Sequence, residues 1–261
     1  MKTDSILAVD IGNTSTVCAL CSNGRIGKLH RISSICPNRR DVAGFLKGVL
    51  GHGNAGASVF CSVVPDMNAL WRKELLRLTG TEPLIVSCGI ELGMDIDYKN
   101  PGQIGADRLA NAVGAVRQFG VPAIILDFGT AVTVDVVSRA GAYAGGVIMP
   151  GLALMSDYLN DRTALLPHLD FFKKAPSELP GIGKSTEEAM YIGAIKGFQG
   201  MVKSVIKEVR KELGPGRINM CATGGHASVI LRGSGLNFSV DTKLTVRGLC
   251  GIFDLNRRNV L

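Results

Sequence analysis

Aromatic side chains are scarce in this sequence, at 5% of 261 residues with a single tryptophan. That argues against a surface built to stack unpaired bases, which needs a series of rings. No apolar stretch approaches the roughly 18 residues that a membrane-crossing helix requires. The run near the start, Ile6 to Val9, ends at Asp10, so no targeting segment is expected there. The seven cysteines are scattered and odd in number, which disfavours a disulfide framework and fits a reducing cytoplasm. Cys18 and Cys21 have CxxC spacing, but residues three apart in a strand point to opposite faces, so both read as strand residues. His30, His52, His168 and His226 show no metal-ligand spacing, and no zinc site is expected. A Gly-x-x-x-x-Gly-Lys-Ser/Thr loop is also missing. Gly181-Ile182-Gly183-Lys184-Ser185 ends as such a loop does, yet lacks its first glycine and a preceding buried strand.

The formal charge of +7 and pI near 9.1 permit an anionic ligand without identifying it. The basic residues are dispersed among acids, as in Lys203, Lys207, Glu208, Arg210, Lys211 and Glu212, which reads as a solvated helix face. Neither nucleic acid nor membrane is an expected partner.

What the chain does contain is a repeat. Ile6 to Val17 reads as an apolar strand, then Asp10-Ile11-Gly12-Asn13-Thr14-Ser15-Thr16-Val17. Ala123 to Asp135 repeats the pattern, with Asp127-Phe128-Gly129-Thr130 after the strand and Thr133 aligned with Thr16. Glycine permits a tight turn after the strand, and successive backbone N–H groups in such a turn form a concave anion site. A carboxylate beside phosphate requires a cation between them, so Asp10 and Asp127 are candidate cation holders, directly or through water. Asn, Asp and Gly also close ordinary hairpins, but two matching copies suggest related halves facing each other across a cleft.

The remaining periodicity predicts an α/β fold. A hairpin or meander covers 5–35, a helix 41–50, a strand 58–64 stopped by Pro65, a helix 68–78 and a short strand 84–86. An ordered loop over the cleft is expected at 91–103, then a helix at 106–116. The second half repeats strand, turn, strand. A partly helical segment at 156–174, a loop at 176–184, a long helix at 187–213, a strand at 218–222 and a terminal helix from about 245 complete it. The long helix has an apolar stripe wide enough for the core or a second subunit. The expected domains are 1–118, with the phosphate and substrate loops, and 119–261.

Gly105-Ala106-Asp107-Arg108 falls at the first turn of a helix, where an acid by itself would cap the helix or favour its dipole. The ordered set of Asp10-Ile11-Gly12-Asn13-Thr14, Asn100-Pro101 with Gly105 to Arg108, Asp127-Phe128-Gly129-Thr130-Ala131, Gly145-Gly146 with Pro150-Gly151, Gly183 to Thr186 and Thr223-Gly224-Gly225 closely resembles type III pantothenate kinase. The likeness runs from Leu7 to the segment ending at Leu249. It implies an actin-like fold of duplicated ribonuclease-H-like halves with a central cleft. It also implies ATP-dependent phosphorylation of pantothenate, the first step toward coenzyme A, by a homodimer using Mg2+ and a monovalent cation, K+ or NH4+.

By that resemblance, Asp10, Ile11, Gly12, Asn13, Thr14, Ser15, Thr16 and Val17 form the ATP phosphate loop, with Asp10 holding magnesium directly or through water. Asp107 is the base that takes the substrate hydroxyl proton. Gly105, Ala106, Asp107 and Arg108 hold pantothenate, with Tyr98 and Thr186 as further contacts. Asp127 binds the monovalent cation, Thr130 touches ATP, and Gly224 and Gly225 let adenosine approach the backbone. Arg108 suits either the substrate carboxylate or an orienting role toward Asp107. Val132, Ile192 and Asp241-Thr242 depart from the family's usual residues. A non-catalytic nucleotide-binding regulator and a kinase for another small alcohol are the rival readings; the regulator would lack the acid at 107 or 127.

Overall fold

The computed structural model describes residues 5–171 and 179–260, with backbone alone for 258–260. It separates into two compact units, one running up to Val121 and taking in Ala140–Ala144 and the chain from Lys243 on, the other holding Pro122–Arg139 and Gly145–Thr242.

In the first unit, β1 (Ser5–Ile11) and β2 (Ser15–Ser22) form the opening antiparallel hairpin, and β3 (Arg25–Ile26) and β4 (His30–Ser33) both pair with β2. The helix α1 (Arg39–Leu50) starts on a capping box, with Asn38 accepting from the Arg40 and Asp41 amides and Asp41 accepting from the Asn38 amide. The strand β5 (Ala57–Ser62) lies parallel to β1. The next helix, α2 (Pro65–Thr79), begins on the proline read from sequence as a strand stop. Its fixed φ and missing N–H suit the first helical position. A short strand, β6 (Leu84–Ile85), continues the sheet in parallel beyond β5. Trp71, Leu75, Phe60, Leu46 and Leu7 fill the core between this sheet and α1 and α2. After an irregular stretch with one 3-10 turn at Pro101–Gln103 comes α3 (Ala106–Phe119).

The second unit opens with β7 (Ala123–Phe128) and β8 (Ala131–Val137), followed by β9 (Tyr143–Pro150) beside β8. Two helices follow, α4 (Leu152–Arg162) and α5 (Thr186–Leu213). Next come β10 (Asn219–Thr223), α6 (Ala227–Leu231) and β11 (Ser239–Val240), with β10 parallel to both β7 and β11. Ser185 caps α5 by accepting from the Glu188 amide at 3.1 Å, so the Gly-Lys-Ser stretch leads into the start of a helix, and none of the described residues 179–184 before it is in a strand. The inner face of α5, with Ile195, Phe198, Val202 and Ile206, covers the second core, and Lys203, Lys207, Glu208, Arg210, Lys211 and Glu212 are all exposed. The helix expected at 156–174 lies earlier, at Leu152–Arg162, and part of that expectation and of the 176–184 loop falls outside the described residues.

The two sheets share one topology. Their strand orders are β3-β2-β1-β5-β6 and β9-β8-β7-β10-β11, each an antiparallel hairpin with two strands added in parallel beyond its first strand and one more strand beside its second. The duplication read in the sequence is thus present in strand order. Its alignment shifts by one past the turn, because Asp10 faces Val17 whereas Asp127 faces Thr133. The second turn is one residue tighter, and Thr133 corresponds to Val17 rather than to Thr16.

The expected grouping of 119–261 as one half differs from the packing. The last helix, α7 (Leu244–Val260), lies on α3. A Cβ on Gly248 would overlap the Ala110 carbonyl, and one on Gly114 would fall 2.5 Å from the Leu244 carbonyl. Bare glycines let the two backbones meet, and Thr245 Oγ1 donates to the buried Asn111 Oδ1 at 2.8 Å across the contact.

Candidate active site

The first phosphate-loop candidate is the β1–β2 turn. The Gly12 amide donates to the Ser15 carbonyl at 3.3 Å, and a Cβ on Gly12 would stand 3.0 Å from that oxygen. Asn13 and Thr14 are exposed at the tip, whereas Ile11 and Thr16 are fully buried. The Thr16 hydroxyl shares a 2.9 Å hydrogen bond with buried Ser34, whose amide donates to the Thr14 carbonyl at 3.0 Å. Ile11 and Thr16 therefore brace the turn from behind, and Gly12, Asn13 and Thr14 present its outer surface. Ser15 Oγ accepts from Arg31 Nη1 at 2.6 Å, which brings a fixed cation to the loop.

Asp10, at the end of β1, faces Val17 on one side and Cys61 on the other. The Cys61 thiol donates to Asp10 Oδ1 at 3.3 Å. Cys61 is wholly buried, and burial together with the charges of Asp10 and Asp107 pushes its ionisation far above the ordinary thiol range. The thiol is a neutral donor here, and both acids stand near enough to act on it. No reading of the sequence singled out Cys61; only the parallel register of β5 against β1 places it behind Asp10.

Asp107 lies in the first turn of α3, where its Oδ1 accepts from the Arg108 amide at 2.8 Å. Burial raises its carboxyl above the usual value, opposed by that amide bond and by the Arg108 charge. Gly105 precedes the helix, and a Cβ there would sit 2.5 Å from Asp107 Oδ1. Any other residue would displace the carboxylate. Arg108 is 6% exposed, with its guanidinium 5.9 Å from the centre of the Tyr143 ring. Tyr98 meets the same ring edge-on at 6.2 Å. The first unit thus brings together Asp10, its turn, Gly105, Ala106, Asp107, Arg108 and Tyr98. Tyr143, absent from the sequence reading, joins them.

In the second unit, Asp127 ends β7 between Thr133 and Thr223. Gly224 has φ of +90°, and a Cβ would stand 2.6 Å from Asp127 Oδ1 and from the Phe128 backbone. The His226 amide continues this contact, donating to the Phe128 carbonyl at 3.3 Å. The Gly129 amide donates to the Ala131 carbonyl at 3.1 Å and the Gly151 amide to the Thr130 carbonyl at 3.0 Å. Asp127, Thr130 and Gly224-Gly225 therefore form one cluster. Val132, a departure from the family pattern, is buried opposite Phe128. Thr186 is the first residue of α5. It borders an apolar cavity of about 530 Å³ lined also by Leu159, Leu166, Phe171 and Met190.

A family model described as type III pantothenate kinase matches residues 6–208. The type III pantothenate kinase of Akkermansia muciniphila is 43% identical over 249 residues, spanning 93% of this chain and 96% of that protein. Its counterpart in Syntrophobacter fumaroxidans is 36% identical over 260 residues, spanning 97% and 99%. Among solved structures, a conserved putative Baf family transcriptional activator from Campylobacter jejuni has a TM-score of 0.62 at 17% identity, covering 97% of this chain and 99% of its own. A ROK family glucokinase from Streptomyces griseus, in complex with glucose and AMPPNP, has a TM-score of 0.52 at 14% identity, covering 97% and 99%. At such identities the structural likeness speaks to fold alone, and the fold is that of the actin-like and sugar-kinase-like ATPases.

Proposed function

From the premise that the chain belongs to the type III pantothenate kinase family, we propose how its own residues serve that family's reaction. The protein is an ATP-dependent kinase that phosphorylates pantothenate to 4'-phosphopantothenate, the first step of coenzyme A biosynthesis.

Asp107 is the general base. The observation that carries this assignment is its setting: a carboxylate in the first turn of α3, with Oδ1 fixed by the Arg108 amide and proton affinity raised by burial. With Oδ1 held, Oδ2 is the oxygen that would take the proton of the pantothenate hydroxyl as that oxygen attacks the terminal phosphorus of ATP. The P–O bond to the leaving ADP breaks, and the proton passes to Asp107. A base so placed contributes about 10²–10⁴ in rate. Arg108 binds the substrate carboxylate, while its backbone amide orients Asp107; Gly105 and Ala106 shape the entry to the helix, and Tyr98 and Thr186 make further substrate contacts.

The Asp10 to Val17 turn cradles the ATP phosphates, with the Gly12, Asn13 and Thr14 tip toward them and Ile11, Ser15, Thr16 and Val17 supporting it. Thr130 contacts ATP, and Gly224-Gly225 lie against the adenosine. The donor set fits magnesium carried on the nucleotide. Asp10 offers hard carboxylate oxygen, and among the described residues no cluster of three or more His, Cys, Asp or Glu forms an all-protein cage. When bound, magnesium offsets charge on the phosphates. Asp127 holds the monovalent cation, K+ or NH4+. Its support is the close approach of the Gly224 backbone, where a Cβ would stand 2.6 Å from Asp127 Oδ1.

A homodimer is part of the same proposal, and Leu165, 89% exposed, and Ile182, 81% exposed, are the candidate interface side chains of the second unit. The cytoplasm suits seven free thiols. The test is ADP release by purified protein in potassium buffer, with and without pantothenate. Pantothenate-dependent release supports the reading, and release indifferent to pantothenate rejects it.

A further inference from the structure

Tyr143 opens β9 within Ala140–Ala144, the short stretch that packs with the first unit although its chain neighbours belong to the second. It is completely buried. Its amide donates to the Asp95 carbonyl at 2.8 Å, and its carbonyl accepts from the Asp97 amide at 2.9 Å, forming a parallel bridge with Ile96. The backbone of Tyr143 therefore holds the loop that delivers Tyr98. Its ring meets Tyr98 at 6.2 Å with planes at 61° and carries the Arg108 guanidinium at 5.9 Å.

We infer that Tyr143 is a positioning residue of the pantothenate pocket, seating both Arg108 and Tyr98 on one ring while its backbone anchors the loop segment that leads into Tyr98. The inference rests on the assignment of Arg108 and Tyr98 to that pocket. A long arginine side chain has many rotamers, and a carboxylate is bound well only where the planar fork is already fixed. The negative face of an aromatic ring attracts the guanidinium, the more so where water is excluded. Arg108 is 6% exposed, so that condition is met. The ring thereby selects one placement of the fork and, through Tyr98, one wall of the pocket. A residue that only filled core volume would show no dependence on the π face.

Tyr143→Leu keeps apolar bulk and both backbone hydrogen bonds but removes the π face. It is expected to raise the KM for pantothenate about tenfold while the KM for ATP stays within about twofold, and Tyr143→Phe is expected to recover most of the loss. An unchanged pantothenate KM, or an equal rise in both KM values, overturns the inference. If Tyr143→Leu does not fold, progressive fluorination of a phenylalanine placed at 143 drains the ring's negative face with little change of shape. Pantothenate KM should then climb with each fluorine, and a flat series overturns the inference. Arg108→Lys, measured beside them, separates the two levels. If it leaves pantothenate KM untouched, the pocket assignment itself fails; if it raises KM while Tyr143→Leu does not, only the role of Tyr143 fails.

Discussion

Asp107 stands where folding and chemistry pull in opposite directions. Burial raises its carboxyl above the usual range, so the folded protein binds that proton more tightly than the unfolded chain does. Its charged form costs stability once the pH exceeds the folded value, and the cost disappears below the unfolded value of about 3.9. Asp107→Asn should therefore unfold at a higher temperature than the wild type at neutral pH. That advantage should shrink to nothing as the pH falls through the carboxylate range. Thermal unfolding followed across pH checks this, and a variant that loses stability at neutral pH contradicts it. At this scale the sequence was informative about charged and turn-forming residues, because Asp-x-Gly and Gly-Ala-Asp-Arg are local patterns. It was silent about Cys61 and Tyr143, whose importance lies in what a distant strand or loop brings against them. A buried thiol beside Asp10 looks in sequence like any other apolar strand residue.

Among the elements, the contact of α3 with α7 decides how the chain closes. Gly248 meets the Ala110 carbonyl so closely that a Cβ would overlap it. Gly248→Ala should force the helices apart and destabilise the protein by about 1–3 kcal/mol, the usual cost of overpacking a tight contact. Urea unfolding reads this directly, and a midpoint within error of wild type would refute it. The helix α3 carries Asp107 in its first turn, so some loss of turnover should accompany the loss of stability. Most elements were legible beforehand because their periodicity was strong, α5 above all. Two short ones were not: α6, with Ala227 to Leu231, and β11, with Ser239-Val240. They are too brief for a period to register, and their pairing is set by β10. The return of α7 to the first unit was equally hidden, since a glycine that permits helix contact and a glycine in a turn look alike in sequence.

For the molecule as a whole, one duplicated design underlies both units. Each offers a strand ending in an acid and a glycine turn, Asp10 with Gly12 in one and Asp127 with Gly129 in the other. The sequence repeat revealed this, though not that the second turn is shorter by one residue, which moves Thr133 opposite Asp127. At this scale the proposed homodimer is tested by Leu165→Glu, a charge placed on a residue that is 89% exposed. Sedimentation should show a dimer for the wild type and a shift toward monomer for the variant; two identical profiles would contradict the proposed interface. The most direct test of the whole account compares pantothenate-dependent turnover with ATP-analogue affinity in Asp107→Asn. Turnover should fall by about 10²–10⁴ while the analogue binds as tightly as it does to wild type. Near-normal turnover in that variant would remove Asp107 from its role as the base.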